Sequence, residues 1–132
     1  GLPIDESRVL IKDLSEQSGI DCALQLMHMK PMPDGVFITN DFVAAQCMRT
    51  LKEHGVRIPD DIAVVGFNND AISRIVEPTL STVNYPGIDL GKIAAKNLIA
   101  HLKGDADIRQ TSTIVVRSEL LIRESSLKKI KL

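Results

Sequence analysis

Flat rings are scarce in this chain of 132 residues: aromatic side chains make up 3%, with one tyrosine, three phenylalanines and no tryptophan. A pocket for a sugar or a base usually wants a ring to stack against, so few positions could supply one. Cysteine is equally sparse. Cys22 and Cys47 are the only two, each inside an apolar helical pattern and without metal-ligand spacing, so they read as small buried hydrophobes rather than a disulfide. No apolar run approaches the roughly 20 residues that span a bilayer, and no basic stretch, apolar run and small-residue cleavage site mark a signal peptide. The expected location is the cytoplasm, with no membrane partner.

An excess of one charge is lacking too. The formal net charge is -1, and Lys and Arg are scattered apart from Lys128, Lys129 and Lys131, so this segment is not expected to hold nucleic acid itself. The signatures of catalysis (G-x-S-x-G, H-E-x-x-H, a glycine loop cradling phosphate) are missing, and no enzyme activity, metal or cofactor is expected. His28, His54 and His101 fall near helix C-termini, where the helix dipole favours a partly cationic ring, and are read as capping or solvated groups.

What is present is alternation. A β-like run from Arg8 to Ile11 precedes a helical pattern carrying Ile20, Ala23, Leu24 and Met27, which ends near Lys30 before Pro31 and Pro33. Gly35 to Thr39 is too short for a helix and is followed at once by Asn40 and Asp41, residue types that cap helix N-termini. From Phe42 to His54, Ala44, Cys47, Met48 and Leu51 fall at i, i+3, i+4 and i+7, and Gly55 stands where a helix end needs a left-handed residue. Ile62 to Gly66 is apolar at nearly every position, as suits a central parallel strand covered on both faces. Strand, helix, strand, helix, strand implies right-handed crossovers and an α/β fold with a parallel sheet flanked by helices, whose ligands bind at the carboxyl ends of the strands. Beyond a turn-rich stretch with one helical turn around Ala71 to Ile75, Leu80 to Val83 is β-like. Asn84 to Gly87 forms a connector, and a helix runs from about Ile88 to Lys103 with Leu90, Ala94, Leu98 and Leu102 on one face, ended by Gly104. Thr113 to Val116 and Leu120 to Arg123 are β-like, and Ser125 to Leu132 looks frayed.

The strand ends bring Asn40, Asp41, Asn68, Asn69 and Asp70 to one edge of the sheet, short rigid groups of the kind that bind hydroxyl-rich ligands. The same residues also suit a helix cap and an ordinary Asx turn, and spacing leaves both readings open.

Three motifs then agree in order: Pro33-Asp-Gly-Val-Phe-Ile-Thr-Asn-Asp41, Gly55-Val-Arg-Ile-Pro-Asp-Asp-Ile-Ala-Val-Val-Gly-Phe67 and Pro78-Thr-Leu-Ser-Thr-Val83. Together with Leu90-Gly91, Ala94-Ala95 and the ending Glu119-Leu-Leu-Ile-Arg-Glu-Ser-Ser126, they resemble the effector-binding domain of the lactose/galactose-repressor family over nearly the whole chain. The resemblance implies a periplasmic-binding-protein-like (type I) fold of two lobes with the effector between them. Residues 1–83 would belong to the second lobe, 84–117 would comprise a crossover plus a helix and strand that pack on the first, and 118–132 would return to the second. It also implies a bacterial transcriptional regulator whose helix-turn-helix domain, outside this segment, reads operator DNA. The effector would be a sugar or related polar metabolite that favours one lobe angle over another, a coupling commonly worth about 1–3 kcal/mol.

Carried over position by position, Asn40 matches an effector-contacting asparagine, and Asn68 stands where aspartate is common. An asparagine offers one acceptor and a donor where aspartate accepts two hydrogen bonds, so either the effector is no plain vicinal diol or Asn69 and Asp70 compensate. Tyr85 stands where many members have glutamine and Leu14 where several have an aromatic ring; Tyr85 supplies a missing flat surface or packs as a hinge. Asp41 and Asn69 complete the expected effector set. The family forms homodimers through the second lobe, which points to Ala45, Met48, Lys52, Ile75 and Val76 as interface residues turned outward. A free-standing sugar-binding protein of a transporter shares the architecture. The Gly55 to Asp61 stretch and the Leu120 to Ser125 ending favour the repressor branch.

Overall fold

The computed structural model describes residues 5–110 and 113–128. Its sheet has four strands in the order β1 (Gly35–Phe37), β2 (Ala63–Phe67), β3 (Ser81–Asn84) and β4 (Glu119–Leu121). The first three run parallel and β4 is antiparallel to β3. Helix α1 (Glu16–His28) opens on Ser15, whose hydroxyl accepts the Ser18 amide, and α2 (Asp41–Glu53) opens on Asn40, whose carboxamide oxygen accepts the Val43 amide at 3.1 Å. Each cap satisfies an amide that the first helical turn leaves unbonded. After α2, Gly55 takes φ +81°, as the turn-reversing position requires.

Packing explains the order of these elements. Leu26 and Ala23 of α1, with Ala44, Cys47 and Leu51 of α2, close over Ile38, Ile62, Val64 and Leu80 on one face of the sheet. Each large aliphatic chain removed from water there stabilises the fold by roughly 1.5–3 kcal/mol. The two helices approach closely at Gly19, where an added Cβ would lie 2.6 Å from that of Gln46 and 2.8 Å from the Val43 carbonyl oxygen.

Several expectations need correction. No strand forms over Arg8 to Ile11; Glu6–Arg8 is a 3-10 turn, because the Asp5 side chain accepts the Ser7 amide and the Val9 amide bonds back to Glu6. β2 is covered on one face only, since Ile62, Val64 and Gly66 are buried while Ala63, Val65 and Phe67 are half-buried. Thr113 to Val116 forms no strand, and Val115 is exposed. The expected fraying at Ser125 is also overturned, because this residue is fully buried. Its amide donates to the Thr79 carbonyl and its hydroxyl to the Val64 carbonyl, while its own carbonyl and hydroxyl oxygens accept the Val64 and Ser81 amides. Of that tail, Lys129 to Leu132 lie outside the described residues.

Helix α3 (Gly87–Lys103) ends as expected on Gly104 at φ +80° and carries no buried residue. It packs chiefly on the turn Ile108–Gln110. Ile88 and Leu102 remain 77% and 75% exposed, so the helix presents apolar surface to solvent. Among the described residues, no helix is long and apolar enough to cross a membrane.

Candidate functional site at the carboxyl ends of the strands

Parallel pairing of β1, β2 and β3 brings the residues that follow them to one edge. Asn40 follows β1, Asn68 follows β2 and Tyr85 follows β3. The Asn40 side-chain oxygen is spent on capping α2, and its amide nitrogen has no bond to any described residue. Asn68 sits at φ +115° and Asn69 at φ +58°. Asparagine tolerates such backbone better than most residues, and strain of this kind gathers at ligand sites. The Asn68 amide hydrogen goes to the Val83 carbonyl at 3.0 Å, and its side chain makes only a long 3.5 Å contact with Asp70. The Asn68 side-chain oxygen accepts no hydrogen bond from the described residues.

Two expected effector residues turn out to be committed within the protein. Asp41 is 0% exposed; one carboxyl oxygen accepts the Thr82 hydroxyl at 2.7 Å and the other the Asp70 amide at 2.8 Å. A side chain so enclosed braces the loop after β2. Asn69 is likewise occupied: its oxygen accepts from the Arg123 guanidinium at 2.8 Å and its nitrogen donates to Asn84 at 3.2 Å. Distant side chains rather than an Asx turn therefore engage Asn69, while Asn68 keeps only its long contact with Asp70.

Leu14 is exposed at the rim of a separate hollow of about 150 Å³ between the chain before α1 and the edge of β1. The neighbouring Asp13 carboxyl accepts the Ser15 and Ser18 hydroxyls, which draws it down to about 2 and pins this turn.

Tyr85 is 46% exposed, and it is not alone. Its ring lies 6.1 Å from that of Phe67, which lies 6.5 Å from Phe37 in an edge-to-face contact. Three of the chain's four aromatic rings therefore form a row across the ends of three strands, beside Asn40 and Asn68. In sequence Phe37 and Phe67 look like core residues of apolar strands; only their parity, two residues from Gly35 and Val65, would have placed them on the face away from α1 and α2.

Arg123 was also missed. Besides Asn69, its guanidinium donates to the Ser73 hydroxyl at 2.9 Å and the Leu80 carbonyl at 2.8 Å. It ties the last strand segment to the loop behind Asn68.

The residues expected at a dimer interface separate similarly. Met48 is 1% exposed and turns inward, contrary to expectation, because α2 is wrapped by α1, the sheet and the turn Ala71–Arg74, and a long unbranched side chain fills the space between them. Ala45 is buried at the border, Lys52 is exposed and donates to the Glu77 carbonyl at 2.6 Å, Val76 is half-buried, and Ile75 is 75% exposed.

An α/β lobe with its helices over one face of the sheet and a polar and aromatic edge fits the periplasmic-binding-protein type of fold. Residues 1–126 match the family described as periplasmic binding protein-like domain, and the chain belongs to it. Within that family it is part of an effector-binding domain of the lactose/galactose-repressor type. It is 33% identical over 115 residues to the NTD biosynthesis operon regulator NtdR of Bacillus subtilis (strain 168), covering 84% of this chain and 35% of that protein. A solved complex of the transcriptional regulator CelR with cellobiose superposes with a TM-score of 0.79 at 30% identity, over 94% of this chain and 37% of that one. The lac repressor dimer bound to operator and the anti-inducer ONPF gives 0.77 at 26% identity, over 88% and 34%. The chain spans about a third of the length of these relatives.

Proposed function

We propose that this chain senses a saccharide or closely related polyhydroxyl effector and carries the dimer contact of a cytoplasmic DNA-binding regulator. The carrying observation is the row Phe37, Phe67 and Tyr85 at the edge where the Asn40 amide nitrogen and the Asn68 carboxamide follow β1 and β2. Ring faces cover the apolar C–H surface of a sugar while carboxamides pair with its hydroxyls. The CelR relative, solved with cellobiose, supports this class of ligand. Residues 5–83 and 118–128 would form the lobe that holds this wall. The exposed helix α3 is the surface on which a facing lobe would rest. Operator DNA would be read by another domain, since this segment is close to neutral.

Titrating the chain with cellobiose, lactose, glucose, ribose and adenosine should shift the NMR signals of the Asn40 and Asn68 side-chain amides and of the Tyr85 ring. Tyr85→Ala should weaken binding about tenfold, the loss of one stacking face worth roughly 1–1.5 kcal/mol. A panel without any shift at these three residues would rule the reading out.

For the dimer, Ile75 is the informative position. Ala45, Arg49, Lys52 and Val76 line a shallow groove of about 250 Å³ beside it, and the lac repressor relative is a dimer. Ile75→Glu should raise the dimer dissociation constant at least tenfold in sedimentation runs and leave the melting temperature of the monomer unchanged, because the side chain is already in water. Equal dissociation constants would remove Ile75 from the interface.

A further inference from the structure

The two cysteines occupy facing positions where α1 and α2 come closest. Gly19 and Cys22 lie one turn apart on α1, and a Cβ at Gly19 would already be 3.3 Å from the Cys47 backbone nitrogen. Both sulfurs belong to one buried cluster and neither is in a disulfide. Their access differs. Cys47 is fully enclosed, whereas Cys22 forms part of the wall of the hollow of about 150 Å³, together with Arg8, Lys12, Asp13 and Ser18.

We propose that Cys22 and Cys47 are a hydroperoxide-responsive pair, with Cys22 attacking from the hollow and Cys47 resolving from behind it to staple α1 to α2. Nothing in the effector reading requires this, and it stands or falls separately. The hydrogen bond from Cys47 holds the Cys22 thiol below its ordinary value, helped by the charge of Lys12 and opposed by burial. That same hydrogen bond and burial push the Cys47 thiol up. An attacking thiol with thiolate character next to a protonated partner is the arrangement that reaction needs.

In the first step the Cys22 thiolate attacks the outer oxygen of the peroxide. An S–O bond forms, the O–O bond breaks, and the leaving alkoxide or hydroxide takes a proton to become alcohol or water. Cys22 is then a sulfenic acid. In the second step the Cys47 sulfur attacks the Cys22 sulfur; the S–S bond forms, the S–O bond breaks, and hydroxide leaves with the Cys47 proton as water. Two thiols have lost two electrons and the peroxide has gained them. The Lys12 cation favours the thiolate, and of the two sulfurs Cys22 is the one that borders the hollow while Cys47 is fully enclosed.

The test treats the native chain with hydrogen peroxide and reads intact mass. The mass should fall by the two thiol hydrogens, without cross-linked dimers, and dithiothreitol should restore it. Cys47→Ser should stop at the sulfenic acid, so that dimedone adds at Cys22; Cys22→Ser should lose both the disulfide and any dimedone adduct. Should a variant fold poorly, limited iodoacetamide on the unaltered native chain gives the same answer, by alkylating Cys22 well before Cys47. Disulfides formed only between chains, dimedone on Cys47 first, or equal alkylation of the two thiols would overturn the pair.

Discussion

Gly66→Ala should destabilise the chain by about 3 kcal/mol or more, lowering its melting temperature by roughly 10 °C. An added Cβ would stand 2.2 Å from the Asp41 carboxyl oxygen that accepts the Thr82 hydroxyl, and 3.0 Å from a Leu80 methyl. Neither neighbour can retreat, because Asp41 and Leu80 are both fully buried. If Asp41 swings away, the Thr82 hydroxyl and the Asp70 amide lose their acceptor inside the protein, and each orphaned group costs roughly 1–3 kcal/mol. Urea unfolding followed by circular dichroism measures the effect as a lower midpoint at unchanged slope. A midpoint equal to that of the parent would mean that the contact around Asp41 is looser than the structure shows.

Removing Arg123 is the second large expectation. Arg123→Ala deletes donors to Asn69, Ser73 and Leu80 together, and a loss of about 2–4 kcal/mol follows from one charged, half-buried hub with three acceptors. Arg123→Lys should recover less than half of it, since a single ammonium cannot span sites that a planar fork reaches. Damage should also be local. Hydrogen exchange at the Asn68, Asn69 and Asp70 amides should quicken in Arg123→Lys more than at Val64 or Leu51, because the guanidinium holds that loop through Asn69. Uniform acceleration along the chain would assign Arg123 to global stability alone.

Local signals made part of this fold legible in advance. Helix α2 could be read closely because its apolar spacing, its Asn40 cap and its terminal Gly55 all act within one segment. The neighbouring strand Ala63–Phe67 misled, since an unbroken apolar run looks the same whether one face or two are covered. Met48 misled for a related reason: a helix enclosed on three sides gives no outward stripe to recognise. Arg123 and the Phe37–Phe67–Tyr85 row depend on side chains brought together from distant segments, and nothing in the spacing of one segment encodes a partner 43 or 54 residues away. At the strand ends, sequence supplied the right edge and the right residue types, while the choice of Asn68 over Asp41 and Asn69 rested on which of them the fold had already engaged.

The seat taken by Ser125 carries a consequence for biosynthesis. Ser125 clamps two strands laid down 44 and 61 residues earlier, so a nascent chain on the ribosome holds every described helix before it holds the bolt that closes them. Premature release upstream of that serine would leave the amino ends of those strands splayed, a ready substrate for cellular proteases.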